Sequence, residues 1–174
     1  MGGDSMQAFS RRGFQLRRAS LETRIAYTSF LVLMVLGLAT LIALAFRAGT
    51  SPSAIAVYYR GGTDEMSFPK TFWQLVEVSH FHLFTIPVVV LILSHLLYAT
   101  PISIRARIWL TALTFLGAFL DVTGPWAVRY VSGAMAYSLL LGWLLLAGGG
   151  LAIIAITIVS MWSGDHKPAD KDES

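Results

Sequence analysis

Ile25-Ala-Tyr-Thr-Ser-Phe-Leu-Val-Leu-Met-Val-Leu-Gly-Leu-Ala-Thr-Leu-Ile-Ala-Leu-Ala-Phe46 is a stretch of the chain without one charged side chain. At 1.5 Å per residue a helix of that length spans about 33 Å, enough to cross a hydrocarbon core of roughly 30 Å. Working outward, three more apolar segments read the same way, over about 74–99, 108–123 and 132–162. Composition agrees: the 174 residues are 55% hydrophobic and 13% charged, against about a quarter charged in soluble domains. The fold expected is an all-α integral membrane four-helix bundle over 25–162. Residues 1–24 form a basic arm, and 163–174 form a polar tail too poor in apolar side chains to fold.

The connections carry their own signals. Between the first two spans, Arg47 to Thr71 holds the breakers Pro52, Gly61, Gly62 and Pro69. Within it, Ala54 to Arg60 is a short amphipathic piece suited to the membrane interface, and Trp73 belongs to the aromatic belt. The other Trp and Phe residues near helix ends read as belt or packing too. Pro87 removes the amide that would bond the carbonyl of Leu83, so a kink is expected there. Gly124-Pro125 is expected to end the third span. Gly142 and Gly148-Gly149-Gly150 mark close packing in the fourth. Of the 13 Lys and Arg residues, nine lie in the arm, the 100–107 loop and the tail, and four on the other side. That bias places both termini in the cytoplasm, in a bacterial inner membrane crossed several times. The pair Arg11-Arg12 resembles a twin-arginine signal, but no cleavage site or exported domain follows it.

Several function classes drop out. With no cysteine there are no disulfides, thiolate metal sites, iron–sulfur clusters or covalently attached haem. The basic residues flank apolar segments rather than lining a surface, so no nucleic-acid partner is expected. The partners expected are the lipid bilayer and other membrane subunits or a second copy, with cytochromes or quinone as redox partners. No nucleophile–base arrangement, phosphate loop or HExxH motif is present, which makes independent catalysis the weaker reading.

What remains is the stretch Glu77-Val-Ser-His80-Phe-His82-Leu-Phe84, which puts ionisable groups at membrane depth, where they are expensive and mark functional sites. Entering at Gln74, His80 lies about 9 Å down and His82 about 12 Å. Asp121 climbs from the opposite face about 20 Å past Ile108 and reaches the same level. The second and third spans should be antiparallel neighbours, so His80 or His82 is expected to meet Asp121. His95 is about 20 Å further along its helix and belongs to another level. The spacing of His82 and His95 is that of helices carrying two stacked haems. No second helix offers histidines, so a partner would have to complete such ligation.

On a regular helix His80 and His82 point about 200° apart, whereas Glu77 and His80 share a face. The candidate cofactor ligands are therefore His80, His82 and His95, and the candidate metal set is His80, His82, Asp121 and Glu77. The cofactor expected is haem b or a transition metal ion; the main alternative is no cofactor, with an Asp–His hydrogen bond fixing helix register in a structural or assembly subunit.

At Val78-Ser79-His80-Phe81-His82-Leu83-Phe84 the chain resembles a group of small bacterial four-helix inner-membrane proteins with a Ser-His-x-His-Leu-Phe signature, often mislabelled as an elongation factor. Some of them carry a Cys-x-x-Cys-His haem motif between the first two helices, absent here. The resemblance spans roughly residues 25–162. It implies an electron-transfer setting in which His80 and His82 are the matching positions.

Overall fold

The computed structural model describes residues 16, 19–62 and 67–163. Most of the basic arm and all but Ser163 of the polar tail lie outside them. The described chain forms α1 (Leu21–Ala48), α2 (Pro52–Arg60), α3 (Phe72–Tyr98), α4 (Ile104–Tyr130) and α5 (Ala136–Trp162), with a 3₁₀ turn at Gly133–Met135 leading into α5. Four of these segments are long and apolar enough to cross a membrane; α2 is the short fifth.

Capping chemistry sets where the helices begin. Ser20, Ser51 and Ser103 each accept a hydrogen bond from a backbone amide of the first turn, satisfying donors the helix leaves unpaired. Thr71 and Gln74 complete a reciprocal capping box at the start of α3. These caps lie upstream of the apolar runs, so α1 starts at Leu21 rather than Ile25, and α4 at Ile104 rather than Ile108.

The larger difference is at the other end of α4. Gly124-Pro125 does not end it, and the helix continues to Tyr130 with Pro125 inside. Pro125 lacks the amide that would bond the carbonyl of Asp121, a penalty of about 3 kcal/mol in a helix interior. Packing on both sides offsets it. Val128 is fully buried with Ile55, Ala136 and Leu139, and Arg60 Nη1 donates to the carbonyls of Val128 and Arg129 at 3.0 and 3.3 Å. A cation there also suits the negative end of the helix dipole. α3 likewise runs unbroken through Pro87.

α4 and α5 form the tightest pair. A side chain at Gly117 would meet the Leu146 amide nitrogen at 2.5 Å, and one at Gly142 would meet Leu120 Cβ at 2.7 Å. Small residues at such crossings let backbones approach in lipid, where association rests on van der Waals contact. Gly149 lies against Thr114, and Gly150 touches Leu38 of α1. Gly148 has nothing within 4 Å, so the triple-glycine run contributes two packing positions, while Gly117 and Gly124 of α4 supply two more. α1 is peripheral. Its first half packs through Leu31 onto Leu93, Leu97 and Ile153. Along its length it leans on α5 and makes little backbone contact with α3.

The seam gives a direct test. Gly117→Leu should lower the thermal unfolding temperature in detergent markedly, by the equivalent of about 1–3 kcal/mol or more, and Gly148→Ala should leave it within error or raise it slightly.

Candidate functional site

The site lies where α2 is strapped across the end of the bundle. The strap turns back on itself at Gly61, whose φ of +82° suits glycine; a Cβ there would sit 2.8 Å from the Ser67 carbonyl oxygen. The amide of Lys70 donates to the Tyr59 carbonyl at 3.0 Å, and Arg129 Nε donates to the Lys70 carbonyl at 3.0 Å. Lys70 Nζ rests 4.2 Å from the centre of the Tyr58 ring, a cation–π contact. These bonds fix Tyr58 and Tyr59 above the upper ends of α3 and α4.

Below the strap, His82 Nδ1 lies 2.9 Å from Asp121 Oδ2. The other carboxylate oxygen, Oδ1, accepts a hydrogen bond of 3.0 Å from Trp143 Nε1. Asp121 is 4% exposed and His82 30%. With Asp121 as a carboxylate, which has no hydrogen to give, the ring nitrogen facing it is the donor. In the neutral ring this leaves Nε2 with its lone pair, able to accept a proton or bind a metal. Asp121 thereby joins three helices: its own, α3 through His82 and α5 through Trp143. A second bond, Trp126 Nε1 to Ser79 Oγ at 2.7 Å, ties α3 to α4 one turn nearer the surface.

Of the two histidines that depth allowed, His82 is the one that reaches Asp121. His80 is on the far side of α3, exposed, with its ring 5.0 Å from Phe84 and 5.7 Å from Phe81 between centroids. The two rings do not converge, as their spacing requires. Glu77 is exposed and stands on the wall of the cavity described below, on His82's side. His95 Nδ1 is bonded to the Leu91 carbonyl at 2.9 Å beside Tyr98, well removed from the pair. Among the described residues no three His, Asp or Glu side chains come together as a metal site would require.

A cavity of about 380 Å³ opens beside the pair, within the size range of small-molecule sites. His82, Asp121, Trp143, Tyr58, Tyr59 and Gln74 supply its polar wall, and Leu41, Leu44, Ala45 and Leu75 its apolar one. Arg47, Lys70 and Glu77 stand around it as well. Tyr59 sits outside the membrane-spanning segments. Burial pushes its hydroxyl well above the ordinary tyrosine range, with Tyr58 and the Asp121 charge adding to the shift. It therefore remains a hydrogen-bond donor throughout the physiological range.

Trp143 and Tyr59 are the site residues that the sequence reading passed over. Trp143 lies seven residues past Ala136, which opens α5, so it is about 10 Å down, the depth already assigned to Asp121. The same arithmetic would have found it, had tryptophan not been assigned to the interface. Tyr59 had no such signal, because its position depends on the strap folding back.

Two measurements check this geometry. ¹⁵N spectra of the detergent-solubilised protein should show a protonated His82 Nδ1, and Asp121→Leu should return the ring to the Nε2–H form usual for free imidazole. In a spectrophotometric titration carried about one pH unit past the ordinary tyrosine value of about 10, Tyr59→Phe should remove no tyrosinate signal. Since the raised value stabilises the fold below about pH 10 and that contribution is lost as pH climbs toward the folded-state value, Tyr59→Phe should also flatten the alkaline fall in stability.

Compared with known proteins, residues 49–169 match the model of the family Aq_1264_TM, described as a transmembrane helical domain. No curated protein and no solved structure matched the chain. The matched stretch takes in α2 to α5 with the His82–Asp121–Trp143 cluster, and α1 precedes it. It covers well over half of the sequence, and with four apolar helices of spanning length the chain is a multi-pass membrane protein belonging to the Aq_1264_TM family of transmembrane helical domains.

Proposed function

We propose that this chain is a small integral-membrane subunit of an electron-transfer assembly, and that His82 is its working group. The observation that carries this reading is the 2.9 Å contact of His82 Nδ1 with Asp121. An imidazole whose second nitrogen is oriented by a carboxylate is what a metal or haem ligand needs, and equally what a proton acceptor needs. Its placement at membrane depth beside a cavity supports a role in which a redox group or its substrate meets the ring.

The donor set favours a shared centre over a self-contained one. His82 is the one imidazole among the residues lining the cavity, and both Asp121 oxygens are already engaged. A haem b or transition metal ion at His82 Nε2 would draw its remaining ligands from a partner subunit or a second copy. His80, exposed beside Phe81 and Phe84, offers a second face to such a partner. The excess of basic residues in the arm, the 100–107 loop and the tail supports cytoplasmic termini, so that the cavity opens toward the periplasm of a bacterial inner membrane.

One observation favours a second reading. The Asp121 cluster and the Trp126–Ser79 bond tie three helices in register, which is also what a cofactor-free scaffold subunit requires. The absorption spectrum and metal content of the purified chain, alone and with its native partners, separate the two. The electron-transfer reading expects a Soret band or stoichiometric metal in at least the partnered preparation, lost in His82→Ala and retained in His95→Ala. Neither signal in either preparation would overturn the cofactor assignment, and a stable complex without one would favour the scaffold.

A further inference from the structure

A second cavity of about 330 Å³ runs down between α1 and α3. Its wall is almost wholly apolar, with Met34, Leu38, Ile86, Val89 and Leu93 prominent. His82, Leu41 and Leu44 line this cavity and the first one alike, so the two are neighbours that share these side chains as a wall. The two adjoin, the first with the polar groups beneath the strap and the second, below it, almost wholly apolar. From His82 to Leu93 the second extends about 16 Å along α3. It lies between α1 and α3, which make little backbone contact.

From this we infer that the two adjoining cavities together form a binding site for a membrane-dissolved amphiphile with an uncharged, hydrogen-bonding ring head, of the quinone/quinol class. The head would lie against His82 and the tail along the α1–α3 gap. The inference rests on the reading of His82 as the working group, but it requires neither haem nor metal.

Three features select that chemistry. The charged groups around the upper cavity are two cations, Arg47 and Lys70, and two carboxylates, Glu77 and Asp121; they balance, which suits a neutral head better than a phosphate. Nε2 of the neutral His82 ring is an acceptor for a hydroxyl hydrogen, and Tyr59 and Gln74 on the same wall can donate to a ring carbonyl. Below the ring the space offers hydrocarbon contact and almost no polar partner, as a long tail requires. Gly37 lines the lower cavity, and a side chain added there would meet nothing within 4 Å. A side chain can therefore be started there without a clash at its first carbon.

The test is quenching of tryptophan fluorescence in the full-length detergent-solubilised chain, titrated with a decyl-tailed benzoquinone and with the same ring lacking its tail. Wild type should bind the tailed compound saturably. Gly37→Phe should weaken the tailed compound by about tenfold or more and leave the tailless ring unchanged, since only tail contacts are lost. His82→Leu should weaken both by about tenfold, the worth of a hydrogen bond to the head. Unsaturable quenching, or equal affinities in wild type and Gly37→Phe, would overturn the inference as detergent partitioning. Displacement of the tailed compound by micromolar phosphatidylglycerol would overturn it in favour of a phospholipid site. A Soret band or bound metal in a protein that binds no quinone would sink this inference and leave the reading of His82 as a cofactor ligand standing. Saturable quinone binding without either would do the reverse to the haem and metal assignment.

Discussion

The structure depends on where one carboxyl group finds its hydrogen bonds. Asp121 is 4% exposed in a helix that spans the membrane, and an unpartnered charge in a low-dielectric setting costs several kcal/mol. Its oxygens are met by His82 from α3 and Trp143 from α5. Any rotation of α3 or slide of α5 that broke either contact would leave a polar atom stranded in an apolar environment. Apolar side chains tolerate small slips of register far better, because a neighbouring Leu or Val fits nearly as well. The cluster thus fixes the rotation of three helices at the level of the His82 ring.

Other features make that cluster possible. Without side chains at Gly117 and Gly142, α4 and α5 approach closely enough for Trp143 to reach across to Asp121. Arg60 of the strap and the bond from Arg129 of α4 to the Lys70 carbonyl hold the end of α4 helical past Pro125, so Asp121 sits well inside the helix instead of at a frayed terminus. α1 touches the bundle in its upper half through Leu38 and Leu41 but makes little backbone contact with α3. The space beside His82 lies between α1 and the other helices, and the matched family domain begins where α1 ends.

Much of this was legible in the sequence because it follows from lengths and depths. An uncharged run sets a span, and rise per residue sets how far down a polar side chain lies. Those two rules bring the His80–His82 stretch and Asp121 to one level and set His95 apart. They cannot say which histidine turns inward, since that is decided by the rotation of α3, which Asp121 itself helps to set. Gly124-Pro125 misleads for a related reason. The local penalty for proline is real, but burial of Val128 and the Arg60 cap come from residues far away in the chain. The glycine seam was half visible: Gly142 stood out in an apolar helix, whereas Gly117 looked ordinary until its partner backbone was in place. Tyr59 could not be found without the strap that carries it.

The central claim, that His82 and Asp121 act as one unit buried in the bundle, is tested most directly by a double-mutant cycle. Unfolding free energies in mixed detergent would be measured for wild type, His82→Leu, Asp121→Leu and the double variant. The account predicts a coupling of about 1–3 kcal/mol, with the double variant less destabilised than the sum of the single changes, because removing one partner strands the other. Additivity within about 0.5 kcal/mol would show the two side chains to be energetically independent and would contradict it.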